Sequence, residues 1–82
     1  MKLGKTEHNS ILRLYIRKGK IHGGFSVEII YSQMYDHYFF KVHNKMKSYV
    51  YNSSFDKVYF TTENECIVAC EEFVKDIRGR LK

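Results

Sequence analysis

Few side chains in this sequence could do chemistry, and their spacing narrows the kinds. Cys66 and Cys70 stand one helical turn apart and, with His37 or His43, would make a thiolate–imidazole metal set. Structural zinc wants four organised ligands at short, regular separations, and those separations are absent. Thiols set in an apolar helical stripe are expected to be buried packing groups. His8, His22, His37 and His43 could each move a proton, yet none stands in a recognisable nucleophile or carboxylate context. Gly19 and Gly23-Gly24 form no phosphate-binding loop. The expectation is a binding protein, not an enzyme, with no cofactor and no metal.

The charged groups say more. Residues 1–54 hold nine Lys and Arg against Glu7, Glu28 and Asp36, a balance of +6, whereas residues 55–82 come to −1, within a net charge of +5. Localised positive charge favours an acidic partner: nucleic acid, an anionic surface or an acidic protein. Aromatic residues make up 16% of the chain. Interleaved with Arg and Lys, such rings can serve as platforms for unpaired bases or as anchors in a protein contact.

These groups need elements to position them. Cys66, Ala69, Cys70, Phe73, Ile77 and Leu81 recur at spacings of three and four, with Ile67 and Val74 widening the stripe, so a helix is expected over 61–79. Thr62 is its N-cap, with Glu65 at capping-box spacing. Gly79 is a C′ residue that leaves 80–82 as a basic tail. An apolar stripe of this size needs a partner surface, because burying each large side chain contributes about 1.5–3 kcal/mol.

That partner is a sheet over 10–60. Leu12, Leu14 and Ile16 alternate with Arg13, Tyr15 and Arg17 in a first strand, and Lys18-Gly19-Lys20 is a turn. Ile21 and His22 begin the return, with Gly23-Gly24 as a bulge. Phe25, Val27, Ile29 and Tyr31 form a second strand, and Tyr38, Phe40 and Val42 a third. Ser48 to Tyr51 is a short fourth. Val58-Tyr59-Phe60 is either a fifth strand or the lead-in to the helix. Residues 1–9 lack periodicity and are expected as a flexible arm. Strands first and helix last make one α+β domain over residues 1–82: a four- to five-stranded antiparallel meander with a C-terminal helix on one face.

His22-Gly23-Gly24-Phe25-Ser26-Val27-Glu28-Ile29 resembles the aromatic strand motif of an RNA-recognition domain. That fold requires a helix between its first two strands, and the eight residues between Arg17 and Ser26 cannot supply one. The assignment is therefore rejected.

In a meander, alternate turns share an end. Arg17, Lys18, Lys20 and His22 should gather with His43, Lys45 and Lys47, joined by Arg78, Arg80 and Lys82 if the helix runs back that way. Arg13, Tyr15, Arg17, Glu28, Ile30, Phe39, Lys41, Tyr49 and Tyr51 should lie on the sheet face away from the helix. The expected function is backbone contact with RNA, or with DNA, by the clustered cations: Arg13, Arg17, Lys18, Lys20, Lys41, Lys45, Lys47, Arg78 and Arg80. The alternative is an interaction module, such as a phage-type inhibitor of a host defence enzyme. It would dock on an acidic protein surface through Tyr15, Phe39, Tyr49 and Tyr51. The abundance of Lys, Tyr, Asn and Ile fits an AT-rich genome, as in many phages. A homodimer is expected under either reading, because apolar patches left open mark contacts. No apolar run approaches a membrane span, no signal peptide follows Met1-Lys2-Leu3-Gly4-Lys5, and cysteine usage points to the cytoplasm.

Overall fold

A computed structural model describes residues 1–21, 24–46 and 49–80, without the side chains of Tyr49 and Arg80. Among these residues five antiparallel strands pair in sequence order: β1 (Lys2–Asn9), β2 (Leu14–Ile21), β3 (Phe25–Ser32), β4 (His37–His43) and β5 (Tyr49–Asn52). One helix, α1 (Glu63–Arg80), packs across β3 and β4 on one side. The fold is the expected α+β meander with a C-terminal helix.

The apolar alternation of β3 and β4 builds the core. Phe25, Val27 and Ile29 of β3, Phe40 and Val42 of β4, and Cys66, Cys70 and Val74 of α1 are buried together. Ile67, Ala69, Phe73 and Ile77 pack around them. Thr62 caps the helix as its sequence implies: its Oγ1 accepts the Glu65 N–H at 3.2 Å and donates to Glu65 Oε1 at 2.9 Å. The helix continues through Gly79 to Arg80 instead of stopping at the glycine. Leu81 and Lys82, the end of the expected stripe and tail, lie outside the described residues.

The N-terminal segment differs most from expectation. Residues 1–9 are not a flexible arm, since Lys2–Asn9 pairs with β2, with an irregularity between Leu3 and Thr6. Only Leu3 is even half-buried in this strand. An edge strand held by its neighbour's backbone needs no apolar period, which is why the sequence carried no sign of it. Lys18-Gly19-Lys20 is likewise strand, not turn. A Cβ at Gly19 would stand 2.7 Å from the Lys2 carbonyl oxygen and 2.9 Å from Leu3 Cδ2, so the glycine is needed for the close approach of β1.

The facing of β2 is also opposite to expectation. Tyr15 pairs with Tyr31, Arg17 with Ile29 and Gly19 with Val27, which puts Tyr15 and Arg17 on the helix side. Leu14 and Ile16 face away. The four residues from Leu14 to Arg17 are all half-buried, so neither half of the alternation is marked as core.

β5 ends because side chains take over from the ladder. Ser53 Oγ accepts the Phe40 N–H at 3.1 Å, and Asn52 Oδ1 accepts the Ser54 N–H at 2.9 Å to start a 3-10 turn, Ser53–Asp56. Val58–Phe60 is not a fifth strand. Phe60 alone bridges Tyr38, through backbone bonds of 2.8 and 2.9 Å. The chain thus climbs one edge of β4, and α1 runs back down. The C-terminal end of α1 therefore lies with the β2–β3 and β4–β5 turns, the lower end of the sheet. The β1–β2 and β3–β4 turns form the upper end.

Candidate nucleic-acid interface

Among the described residues no strand or helix packs on the sheet face away from α1, although Tyr59 reaches His37 at its upper edge, and pairing assigns its residues row by row. Uppermost is Asn9, Leu14, Ser32 and His37; next come Glu7, Ile16, Ile30 and Phe39; then Lys18, Glu28, Lys41 and Asn52; lowest are Lys2, Lys20, Ser26 and His43. The upper rows make a small second apolar cluster. Ile30 is 1% exposed although it faces away from the helix, because Ile16 and Phe39 flank it. His37 stacks on Tyr59 at 3.8 Å and meets the edge of Phe39 at 6.3 Å.

The lower rows are basic. Lys2 stands directly opposite Lys20, and Lys18 and Lys41 lie one row above. Like charges directly opposite on a sheet are destabilising, so this pair is a cost to the isolated fold. Lys18 has Glu7 at 3.7 Å, but both side chains are well exposed and the bond is weak. Glu28 is 3.7 Å from His43 Nδ1. Among the described residues, Lys2, Lys20, Lys41 and Lys45 make no ion pair. Lys45 lies against Gly24, whose φ of +80° suits glycine, so the two lower turns are adjacent.

The expected cation set is therefore partly assembled. Lys18, Lys20, Lys41 and Lys45 converge, and Arg78 comes to the same end from the helix side. Lys2 belongs with them and was missed because its strand has no apolar signature. Arg13 does not belong: it closes the β1–β2 turn at the upper end, with φ of +54°. Arg17 does not either. Its guanidinium bonds Glu63 in the first turn of α1, and its Nε donates to the Gly4 carbonyl at 3.1 Å, so it ties β1, β2 and α1 together. Lys47, His22 and the Arg80 side chain lie outside the described residues.

The expected aromatic face divides. Phe39 lies on the open face. Tyr51 is on the helix side, stacked on Phe73 at 4.3 Å. Tyr15 is on the helix side too, in a row of rings running His8, Tyr15, Tyr31 and Tyr38 with centroid separations of 4.4, 6.2 and 4.8 Å. Tyr49 sits opposite His43 in register, and its side chain is not described. The row lies at the upper end of β1 to β4, where the helix-side residues Tyr15, Tyr31 and Tyr38 are only half-buried. There a groove of about 450 Å³ is lined by Tyr15, Tyr31, Tyr38, Arg17 and Glu63 among others. The Tyr31 hydroxyl donates to Asp36, and that bond raises the phenol above its usual value.

Cys66 and Cys70 are buried free thiols, and burial pushes both up to about 12. At neutral pH they are inert packing groups. Among the described residues, no three His, Cys, Asp or Glu side chains are grouped to hold a metal ion, and no helix is long and apolar enough to cross a membrane. Comparison with protein-family models, curated proteins and solved structures finds no match.

Proposed function

We propose that the lower half of the open sheet face binds a polyanion, with the backbone of RNA as the favoured ligand. The observation that carries this reading is the lysine cluster Lys2, Lys18, Lys20 and Lys41, with Lys2 opposite Lys20. Phosphates placed there would offset the like-charge cost that the free fold bears. Residues two apart on one face of a strand are about 7 Å apart, comparable to the spacing of successive phosphates along a nucleic-acid strand. Lysines act as point charges and read no base edges, so binding would be salt-sensitive and weakly selective for sequence. Arg78 and Lys45 extend the field around the lower rim.

The second reading is docking on an acidic protein surface, as an inhibitor of a host enzyme would. Phe39 and Ile16, half-buried directly above Lys41 and Lys18, favour it by supplying an apolar contact beside the charges. Fluorescence anisotropy across a salt series separates the two. Labelled single-stranded RNA, duplex DNA and polyglutamate are titrated in turn. RNA binding that weakens linearly on a log–log salt plot supports the first reading. Equal binding of polyglutamate supports the second, and no binding of any of the three overturns both.

A further inference from the structure

We propose that the upper end of the sheet is a self-association surface, through which two copies of this chain pair about a two-fold axis. The proposal is independent of the polyanion reading and rests on the opposite end of the molecule. Ile11 is 90% exposed, Leu12 59%, Met34 60% and Tyr35 70%. All four stand on the two upper turns, which are joined by a hydrogen bond of 3.0 Å from the Gln33 N–H to the Arg13 carbonyl. Scattered apolar residues on a surface need no explanation, but four on adjoining turns form a patch.

The charges around this patch suit a second copy. Each turn closes on a residue with left-handed backbone, Arg13 with φ of +54° and Asp36 with φ of +53°. One is a cation and the other an anion. A two-fold contact brings residue i of one copy to residue j of the other and repeats the exchange. Arg13 of each copy then faces Asp36 of its partner, with Met34 and Tyr35 between the two pairs and Ile11 and Leu12 flanking them. The lower ends cannot pair in this way, because lysine would meet lysine. Contact through the upper ends sends the basic ends outward, on a molecule whose long dimension is 39 Å.

The area is adequate for a weak dimer. Four large side chains this exposed present on the order of 500 Å² of surface. Two such patches facing each other bury about 1,000 Å² in total, the lower bound for a specific contact. A lipid surface suits the patch less well. Loops that insert into anionic membranes carry flanking cations, whereas here Arg13 is balanced by Asp36 and the lysine cluster lies at the far end.

Sedimentation velocity over a wide protein concentration range tests the proposal, with circular dichroism to check that each variant is folded. The wild-type chain should pass from monomer to dimer. The double variant Ile11→Ser, Met34→Ser should raise the dissociation constant by about tenfold or more. Arg13→Asp should weaken pairing by about tenfold, since it sets carboxylate against carboxylate. Arg13→Asp combined with Asp36→Arg should restore pairing to within about threefold, because the charge pair is re-formed in reverse. A wild-type chain that stays monomeric at every concentration overturns the proposal. So does a dimer indifferent to these substitutions, or a reversed pair that stays dissociated. Co-sedimentation with phosphatidylserine vesicles, lost in the Ile11→Ser, Met34→Ser variant and seen without any self-association, overturns it in favour of a lipid surface.

Discussion

The upper and lower ends of the sheet are each made of two hairpin turns, yet they differ in charge: the lower end gathers lysines, and the upper turns carry one cation, Arg13, and one anion, Asp36. The upper turns carry Ile11 and Leu12, then Met34 and Tyr35. The lower turns include Gly24, Lys45 and the 83% exposed Met46, and Lys2, Lys18 and Lys20 stand on the neighbouring strands. A meander sorts turns by parity, so the first and third go to one end and the second and fourth to the other. The upper turns are therefore separated from the lysine-bearing end by roughly 25 Å, the length of an eight-residue strand. The lesson is that strand order decides which charges share an end, and so gives the sheet two unlike poles.

The largest expected effect tests the basic pole. Replacing Lys2, Lys18, Lys20 and Lys41 together with alanine should lower RNA affinity on the order of a hundredfold and flatten the log–log salt slope by up to about three. Anisotropy titrations at several salt concentrations measure both. Ile11→Ser, Met34→Ser at the other pole should leave RNA affinity unchanged, and a loss there would erase the distinction between the ends.

Next in size is a pair of truncations on apolar residues. Ile30→Ala should cost about 3 kcal/mol in urea unfolding, since it opens a cavity under Ile16 and Phe39. Ile11→Ala should cost less than about 0.5 kcal/mol, because that side chain packs on almost nothing in the single chain. Equal costs would mean that the upper turn is part of the folding core and not a free surface.

Arg17 separates position from charge. Arg17→Ala should lower stability by about 1 kcal/mol, through loss of the ties to Glu63 and Gly4. RNA affinity should stay close to wild type, because Arg17 is on the helix side and already paired. A large loss of affinity without loss of stability would return Arg17 to the interface.

The smallest effect, nil at neutral pH, lies on the helix. The buried Cys66 and Cys70 thiols hold their protons up to about 12 in the folded chain, against 9.0 for the exposed group. Between those values the folded state binds the extra protons, so stability should be intact below about pH 9 and fall as pH rises toward 12. Urea midpoints measured across this range should decline more steeply for wild type than for Cys66→Ala, Cys70→Ala. Parallel curves would contradict the burial.

Legibility followed burial. The strands β3 and β4 were plain because each has one face in the core, and Thr62 with Glu65 announced the helix start. β2 misled because Leu14, Ile16, Tyr15 and Arg17 are all half-buried and their alternation has two solutions. β1 left no trace, since a polar edge strand is selected by its neighbour and not by its own pattern. As a result Lys2 was missed, and Arg13, Arg17, Tyr15 and Tyr51 were assigned to a face they do not occupy.

Local chemistry was sufficient to specify an α+β meander, the helix and its cap, the buried thiols, and the charge excess of the first two thirds of the chain. Periodicity and capping act over a few neighbouring residues, so they are written in the order of the residues. The facing of β2, the pairing of β1, the burial of Ile30 and the gathering of lysines at one end were decided only by the assembled sheet. Each depends on which strand lies alongside, and that contact joins residues far apart in the chain.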